Sequence, residues 1–599
     1  MRRHFVVCCA TLLAGLAAGR AWAQAPSPGG LATPRMLEIY ATTDLHGHLE
    51  TPGPRPPSAR GRARAQEGGG LALLGGYLKN IRARHGLRTL LLDGGDLMQG
   101  TLASNLGEGA TMIRGLNELR YTAAAVGNHE FDYGPTGPAA VPAAPTDDPR
   151  GALGARRREA GFPLLAANVR TRRGDRPFDA YALRDVDGVR VAIIGATTTS
   201  LLHTTAAANV ADLVVEPIAP AILDAAARAV AEGARVLIVV MHAGAACRRT
   251  PRAFTSDDRD DLAGCAPEEG FQVAHELAAA AARGGPKIAA IVGGHTHQVA
   301  TAIVDGMPFV QAGQKGSHLA HVSIEVTGRG ATAAATGRFA IERPIEICAR
   351  VLPRGGCATA DDPRARAAEH LGPIVPDAAV AAAIAPGLAA ARAAADRPIG
   401  AVLVDGLATS YGSESPLGNF AADALRAAAA ADIGVINGGG LRADLPAGPL
   451  TFGALYESFP FDNEVVPIEI TGAQLRRVAF ANLTSPWGIL SISGLRVVAR
   501  CAANKLEVEL VLADGRPVAP DVRYRLATVD FLVHGGDGVF DGPIHPGPSL
   551  GVVRAVMEEA FKRRTAPVRA DDPAIFDPAH PRVALPSPRP VRCAKVDPR

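Results

Sequence analysis

No dense block of basic residues runs through this 599-residue sequence, and its formal net charge is only +3. Nucleic-acid polymer binding as a main role is therefore disfavoured, because it calls for a concentrated cationic surface. The short arginine clusters from Arg55 to Arg64 and from Arg156 to Arg158 are expected as solvated loop faces. Aromatic residues are scarce at 5%, while alanine, glycine, proline and arginine are heavily used; this is a bias of composition rather than a signal of fold. No pair of cysteines has C-x-x-C spacing, which argues against a thiolate metal site. Beyond the N-terminal region no segment reads as long and apolar enough to span a membrane.

What is present reads as a globular chain. With 47% apolar and 20% charged residues, the length implies roughly two to four folded units. Arg2 and Arg3 precede an apolar run from Phe5 to Ala18, and Ala21-Trp22-Ala23 stands before Gln24. That is the layout of a cleaved secretory signal over residues 1–23, so the mature chain is expected to be periplasmic or secreted, with no membrane anchor. Two of the eight cysteines, Cys8 and Cys9, lie in that run. The other six form an even set in a chain sent to an oxidising compartment, and disulfides are the default reading. Short loop closure favours Cys247 with Cys265 and Cys348 with Cys357, leaving Cys501 to meet Cys593.

Between Met36 and Glu346, short apolar runs alternate with helix-like stretches: Met36 to Ala41, Thr89 to Leu92, Ala123 to Val126, Val191 to Ile194, Val236 to Val240 and Ile288 to Val292. These read as buried strands. Several end directly in polar residues, which places those side chains on loops held by a rigid sheet. Thr51 to Gly70 and Pro135 to Arg158 read as mobile surface insertions. An Ala-rich stretch over 377–396 predicts a helical connector, and the tail from 566 is Pro-rich without periodicity, tied back through Cys593.

Five short strings carry the chemistry: Asp44-Leu45-His46, Gly95-Asp96, Gly127-Asn128-His129-Glu130, Met241-His242 and Gly294-His295-Thr296-His297. Imidazole, carboxylate and amide groups are ligands for borderline divalent cations. In an extended segment, residues two apart face the same way, so Asp44 with His46 and His295 with His297 can each act as a pincer. Each string alone is a weak signal. All five in this order, each after an apolar run, form a strong one.

In these strings the chain resembles the calcineurin-like metallophosphoesterases, and within them the secreted 5'-nucleotidase family, whose pattern is D-x-H, G-D, G-N-H-E, an isolated H and G-H-x-H. The resemblance implies an α/β and α+β chain of two domains. The first, over 36–346, would be a four-layer β-sandwich flanked by helices, with metals at the strand ends. A linker with the helical connector would fill 347–397, a mixed α/β nucleotide-recognition domain 398–565, and the tail 566–599. Two divalent metal ions are implied as cofactors. Asp44, His46 and His297 would hold one, Asn128, His242 and His295 the other, with Asp96 bridging. The nitrogen and oxygen donors accept zinc, manganese, cobalt or iron. His129 would serve as proton donor or electrostatic stabiliser, oriented by Asp132, and Glu130 is given a structural role.

The second half resembles the family's C-terminal domain through Leu417-Gly418-Asn419, Asn437 to Arg442, Pro460-Phe461-Asp462-Asn463 and Phe531 to Asp537. The resemblance makes Asn437 and Arg442 substrate ligands, Phe461 and Phe531 the base sandwich, and Asp537 the ribose ligand. Two departures stand out. Tyr411-Gly412-Ser413-Glu414-Ser415 lacks an arginine found in some relatives, and Asp462 replaces a glycine, bringing a negative charge near the base pocket. The implied activity is hydrolysis of nucleoside 5'-monophosphates by a metal-activated water. A 2',3'-cyclic-nucleotide phosphodiesterase with 3'-nucleotidase activity and a non-catalytic metal-binding scaffold are the alternatives.

Overall fold

The computed structural model describes residues 34–50 and 68–593, apart from 138, 143, 250, 360, 486–487 and 541–543. The signal segment and most of the first insertion, with its Arg55 to Arg64 cluster, lie outside the described residues.

Two sheets stack face to face in the first half of the chain. One has eight strands, in the order Phe254–Thr255, Ala334–Ile341, His318–Thr327, Arg35–Thr42, Thr89–Asp93, Ala123–Ala125 and Leu164–Leu165, with Ile345–Glu346 alongside His318–Thr327. The other has six, in the order Val299–Val304, Met307–Ala312, Ala290–Val292, Val236–His242, Val189–Thr197 and Tyr181–Val186. All six expected apolar runs are strands, the last confined to Ala290–Val292. Residues at alternate positions explain the stacking: Leu37, Ile39 and Ala41 of one sheet meet Val236, Ile238 and Val240 of the other in a shared core. Val236–His242 is buried at every position, which accounts for its unbroken apolar run, since both faces of the strand are covered.

Helices cover the outer faces. In Leu71–His85 the residues Leu71, Leu74, Leu78 and Ile81 recur at helical spacing and are buried against the first sheet. Ile218–Ala231 does the same for the second sheet through Ile218, Ile222, Ala225 and Ala229. Sheet on sheet with helices outside gives the four expected layers.

The Ala-rich connector is a helix, Ala378–Ala395, started by Asp377, whose carboxylate accepts from the amides of Ala379 and Val380 at 2.8 and 3.2 Å. By length and composition it is apolar enough to cross a membrane, contrary to the sequence reading that found no such segment. Val380, Ile384 and Ala391 are packed inward, and the helix leans on Leu71–His85 and Ala110–Glu118.

A second core gathers residues from Ile399 to Val591. Its main sheet has four strands, in the order Val465–Thr471, Arg523–Val529, Ile433–Asn437 and Leu490–Ser493. The Pro-rich stretch from 566 is built into this unit rather than appended to it. Val568, Ile575 and Val591 are buried, Val583–Ala584 pairs with Val497 and Val498, and Arg582 grips the Asp423 carboxylate at 2.8 and 2.9 Å. Such packing leaves no periodicity to read, because each apolar side chain fills a separate gap.

The segment around Arg156 also departs from expectation. It is a helix, Gly151–Glu159, and Arg156 is 8% exposed. Its guanidinium donates to the Gly107 carbonyl and to Glu159, both at 2.7 Å. Arg157 donates to the Pro177 carbonyl and to Asp179. The planar fork of arginine satisfies carbonyls that lysine could not reach in pairs.

All three expected disulfides are formed: Cys247 with Cys265, Cys348 with Cys357, and Cys501 with Cys593. The last joins residues 92 apart and anchors the end of the second unit. Replacing both Cys501 and Cys593 by serine is expected to cost about 2–4 kcal/mol, read as a lower denaturant midpoint under oxidising conditions. An unchanged midpoint would contradict a structural role for the 566–593 stretch.

Candidate active site

Strands Arg35–Thr42, Thr89–Asp93 and Ala123–Ala125 run parallel in one sheet, and Val236–His242 and Ala290–Val292 run parallel in the other. Their carboxyl ends meet on one rim, where open α/β sheets bind ligands. Asp44, His46, Asp96, Asn128, His242, His295 and His297 all lie there. One ligand atom each from Asp44, His46, Asp96 and His297 forms a group within 4.8 Å, and Asp96, His242 and His295 form a second. Asn128 joins the second, its Oδ1 3.0 Å from His242 Nε2, with its amide held by the Thr204 carbonyl at 2.9 Å.

The pincers reach this point by a different route from the extended one expected. Asp44, His46, Asp96, His295 and His297 all have left-handed backbone, with φ between 47 and 76°. For a residue with a Cβ this costs on the order of 1–3 kcal/mol, and cross-links hold it in place. The Asp44 and His46 amides donate to the Gly95 and Asp96 carbonyls, both at 2.9 Å. The His295 amide donates to Asp44 Oδ1 at 2.9 Å.

Beneath the Asp96 loop lies Glu130. Its buried carboxylate accepts from the amides of Asp96, Leu97, Met98 and Gly127 at 2.9, 2.7, 3.3 and 2.7 Å. Burial pushes its carboxyl up to about 7. Asp93, not singled out in the sequence, accepts from the Gly95 amide at 2.8 Å and the Thr42 hydroxyl at 2.5 Å.

The imidazoles are arranged to offer lone pairs. His46 Nδ1 donates to the Gln99 carbonyl at 3.0 Å and His242 Nδ1 to the Gly94 carbonyl at 2.8 Å, which leaves each Nε2 as the ligating atom. His46 Nε2 then faces His297 Nε2 at 2.9 Å. His242 Nε2 faces Asp96 Oδ2 at 3.1 Å and His295 Nδ1 at 3.2 Å. Burial holds His46 and His297 well below the ordinary histidine value and His295 at about 3. Burial would depress His242 as well, but the Asp96 carboxylate outweighs it and raises that imidazole to about 10. So many acceptor atoms crowded in a dry pocket need positive charge between them. This donor set fits divalent cations.

His129 Nδ1 lies 2.5 Å from Asp132 Oδ2. Burial works against its protonated form, yet the Asp132 and Asp96 carboxylates prevail and raise its pKa. Thr205, which sequence reasoning missed, donates its hydroxyl to Asp132 Oδ1 at 2.5 Å. Threonine hydroxyls are too common for sequence alone to flag Thr205, and Thr204 contributes only its carbonyl, which no side-chain pattern announces.

The second unit faces this rim. Phe461 stacks on His129 with centroids 5.5 Å apart, and the Arg442 guanidinium carbon lies 5.7 Å from the Phe461 ring centre. Burial lowers the pKa of Arg442, against the pull of Asp96 and Asp132. Phe461 and Phe531 line one cavity of about 80 Å³ with Asp132 and Tyr133. Residues of both units line it. Asn437 Nδ2 donates to Asp537 Oδ2 at 2.7 Å, and burial raises Asp537 to about 6. The charge expected from Asp462 is matched by the Arg554 guanidinium, its ion-pair partner. Tyr411, in the segment without arginine, is 53% exposed.

Residues 397–542 match the family model of the 5'-nucleotidase C-terminal domain. The Salmonella typhimurium protein named Silent protein UshA(0) is 26% identical over 570 residues, covering 90% of this chain and 93% of its own length. Bacillus subtilis Endonuclease YhcR is 27% identical over 501 residues, and the alignment covers 83% of this chain but only 37% of that longer protein. The crystal structure of a 5'-nucleotidase precursor from Thermus thermophilus superposes with a TM-score of 0.65 at 23% identity, over 90% of this chain and all of that one.

By fold and kinship the chain is a phosphoric ester hydrolase of the two-domain type. Its residues 397–542 match a 5'-nucleotidase C-terminal domain, and along 90% of its length the chain is similar to UshA.

Glu130→Ala is expected to strip the acceptor from four buried amides and to lower unfolding free energy by roughly 3 kcal/mol or more. Chemical denaturation measures this, and a loss below about 1 kcal/mol would contradict the scaffolding role.

Proposed function

We propose that this chain is a two-metal phosphoesterase that hydrolyses nucleoside 5'-monophosphates to nucleoside and phosphate. The observation that carries this reading is the meeting of two groups of ligand atoms, most of them buried, on one shared carboxylate, Asp96. Asp44, His46 and His297 would hold one divalent cation, Asn128, His242 and His295 the other, and Asp96 both. When bound, such a pair supplies an activated water at neutral pH and neutralises the phosphoryl oxygens.

The chain's own residues do the rest. His129, oriented through Nδ1 by Asp132 and kept protonated by it, donates a proton to the leaving oxygen. Arg442, half-buried and facing the carboxylate cluster, binds phosphate oxygens with its fork. Phe461 and Phe531 stack the base. Asn437 and Asp537 take the ribose hydroxyls, a role supported by the buried Asn437 Oδ1, which has no hydrogen-bond partner among the described residues. The catalytic unit would be 36–346 and the substrate unit 398–565, joined by 347–397, with the stretch beyond 565 supporting the latter. The three disulfides favour an exported protein.

Phosphate release from 5'-, 3'- and 2',3'-cyclic nucleotides and UDP-glucose, with added Mn or Zn, tests the reading. AMP is expected to be the best of these substrates, and preference for the cyclic nucleotide would overturn it. Phe531→Ala is expected to lower kcat/KM for AMP roughly 10-fold or more while sparing a small aryl phosphate; equal losses would sink the base stack. Asp96→Asn is expected to abolish turnover and lower bound metal, and full turnover with normal metal content would refute the shared ligand.

A further inference from the structure

The two units meet where Phe461 stacks on His129, where Leu201–Thr204 adjoins Gly536–Gly538, and around Tyr456. Leu102, Ala391 and Tyr456 form the one small buried apolar cluster described between them, too little to fix their relative position by itself. A polar contact sits beside it. Asn105, at the end of the short helix Leu102–Asn105, donates from Nδ2 to the Tyr456 hydroxyl at 3.0 Å. Its Oδ1 accepts from the Gly100 amide and from the Tyr133 hydroxyl, both at 3.0 Å.

Each end of this contact leads to the site. Tyr133 belongs to the turn that carries His129 and Asp132. Tyr456 lies 4.2 Å from the Arg554 guanidinium carbon, measured to its ring centre. Arg554 in turn donates to the carbonyls of Phe459 and Phe461 at 2.7 and 2.8 Å and pairs with Asp462. Phe461 returns to His129 by stacking. The contacts thus form a closed circuit, His129 to Phe461 to Arg554 to Tyr456 to Asn105 to Tyr133, that crosses between the units twice.

We propose that the Asn105–Tyr456 hydrogen bond is an interdomain latch that sets the Phe461 loop at a defined distance from His129 and the Asp96 cluster. The inference rests on the nucleotide reading above, because only a substrate that spans both units depends on that distance. A nucleotide must reach from Phe461 and Phe531 to Asp96, whereas a small aryl phosphate meets the second unit only through Arg442. Asn105 and Tyr456 are positioning residues, acting through the Phe461 loop and the His129 turn. The latch also has to release for a substrate held by both units to enter and its products to leave. A single neutral hydrogen bond is weak enough to open at modest cost.

Tyr456→Phe removes the hydroxyl and keeps the ring that Arg554 covers. Spin labels on cysteines introduced at exposed Val230 and Val522, 44% and 49% accessible, report the separation of the units in the zinc-loaded protein. The parent protein is expected to give one narrow distance distribution and Tyr456→Phe a broader, longer one. In the metal-loaded enzyme the same variant is expected to lose about fivefold or more in kcat/KM for AMP, mostly through KM, and distinctly less for an aryl phosphate, which lacks the base held by Phe461 and Phe531. An unchanged distance distribution overturns the latch. So does a broadened distribution with equal effects on both substrates, since closure would then not position the nucleotide. If the parent enzyme hydrolyses no nucleotide, the proposed function fails, and the distance measurement alone judges the latch.

Discussion

Everything at the rim depends on electrostatic frustration among buried acceptors. Asp44, Asp96 and the ring nitrogens of His46, His242, His295 and His297 converge at a rim where Asp44, His46, Asp96 and His242 are buried and His295 and His297 partly exposed. In a medium of low polarity such groups repel one another unless positive charge lies between them. The His242 imidazole, raised to about 10 beside Asp96, registers that demand. Any cation bound there would couple its binding to the order of the rim, as at other sites whose ligands come together from distant strands.

The scaffold meets this demand by over-determining the loops. Five ligand candidates hold left-handed backbone, an arrangement that survives only where neighbouring groups leave no alternative. Glu130 gathers four amides under the Asp96 loop, and Asp93 and Thr42 tie down the strand end before it. A second unit then covers the rim with Phe461 and Arg442. Rigidity lies in the first unit, and adjustability lies in the small contact between the two.

The sandwich, the helical connector and the disulfide pairs were legible because they rest on local rules: apolar runs of strand length, alanine propensity, and loop closure between cysteines. The seven ligand candidates were legible because five strings recur in order at strand ends. Backbone conformation was not. Asp-x-His suggests an extended pincer, but the left-handed turn at Asp44 and His46 comes from hydrogen bonds to residues some fifty positions away. Thr205 and Asn105 were also invisible, since a lone hydroxyl or amide acquires meaning only from its partners. The Pro-rich stretch after 566 misled because side chains filling separate gaps leave no period. Arg156 misled because burial of a guanidinium depends on carbonyls contributed by another segment.

The central claim is that Asp96 is shared by two cations. Anomalous diffraction from crystals of the protein grown with Mn or Zn tests it most directly. The account predicts two peaks flanking Asp96, one against Asp44, His46 and His297 and the other against Asn128, His242 and His295. A single peak, or two peaks that do not share Asp96, would contradict it.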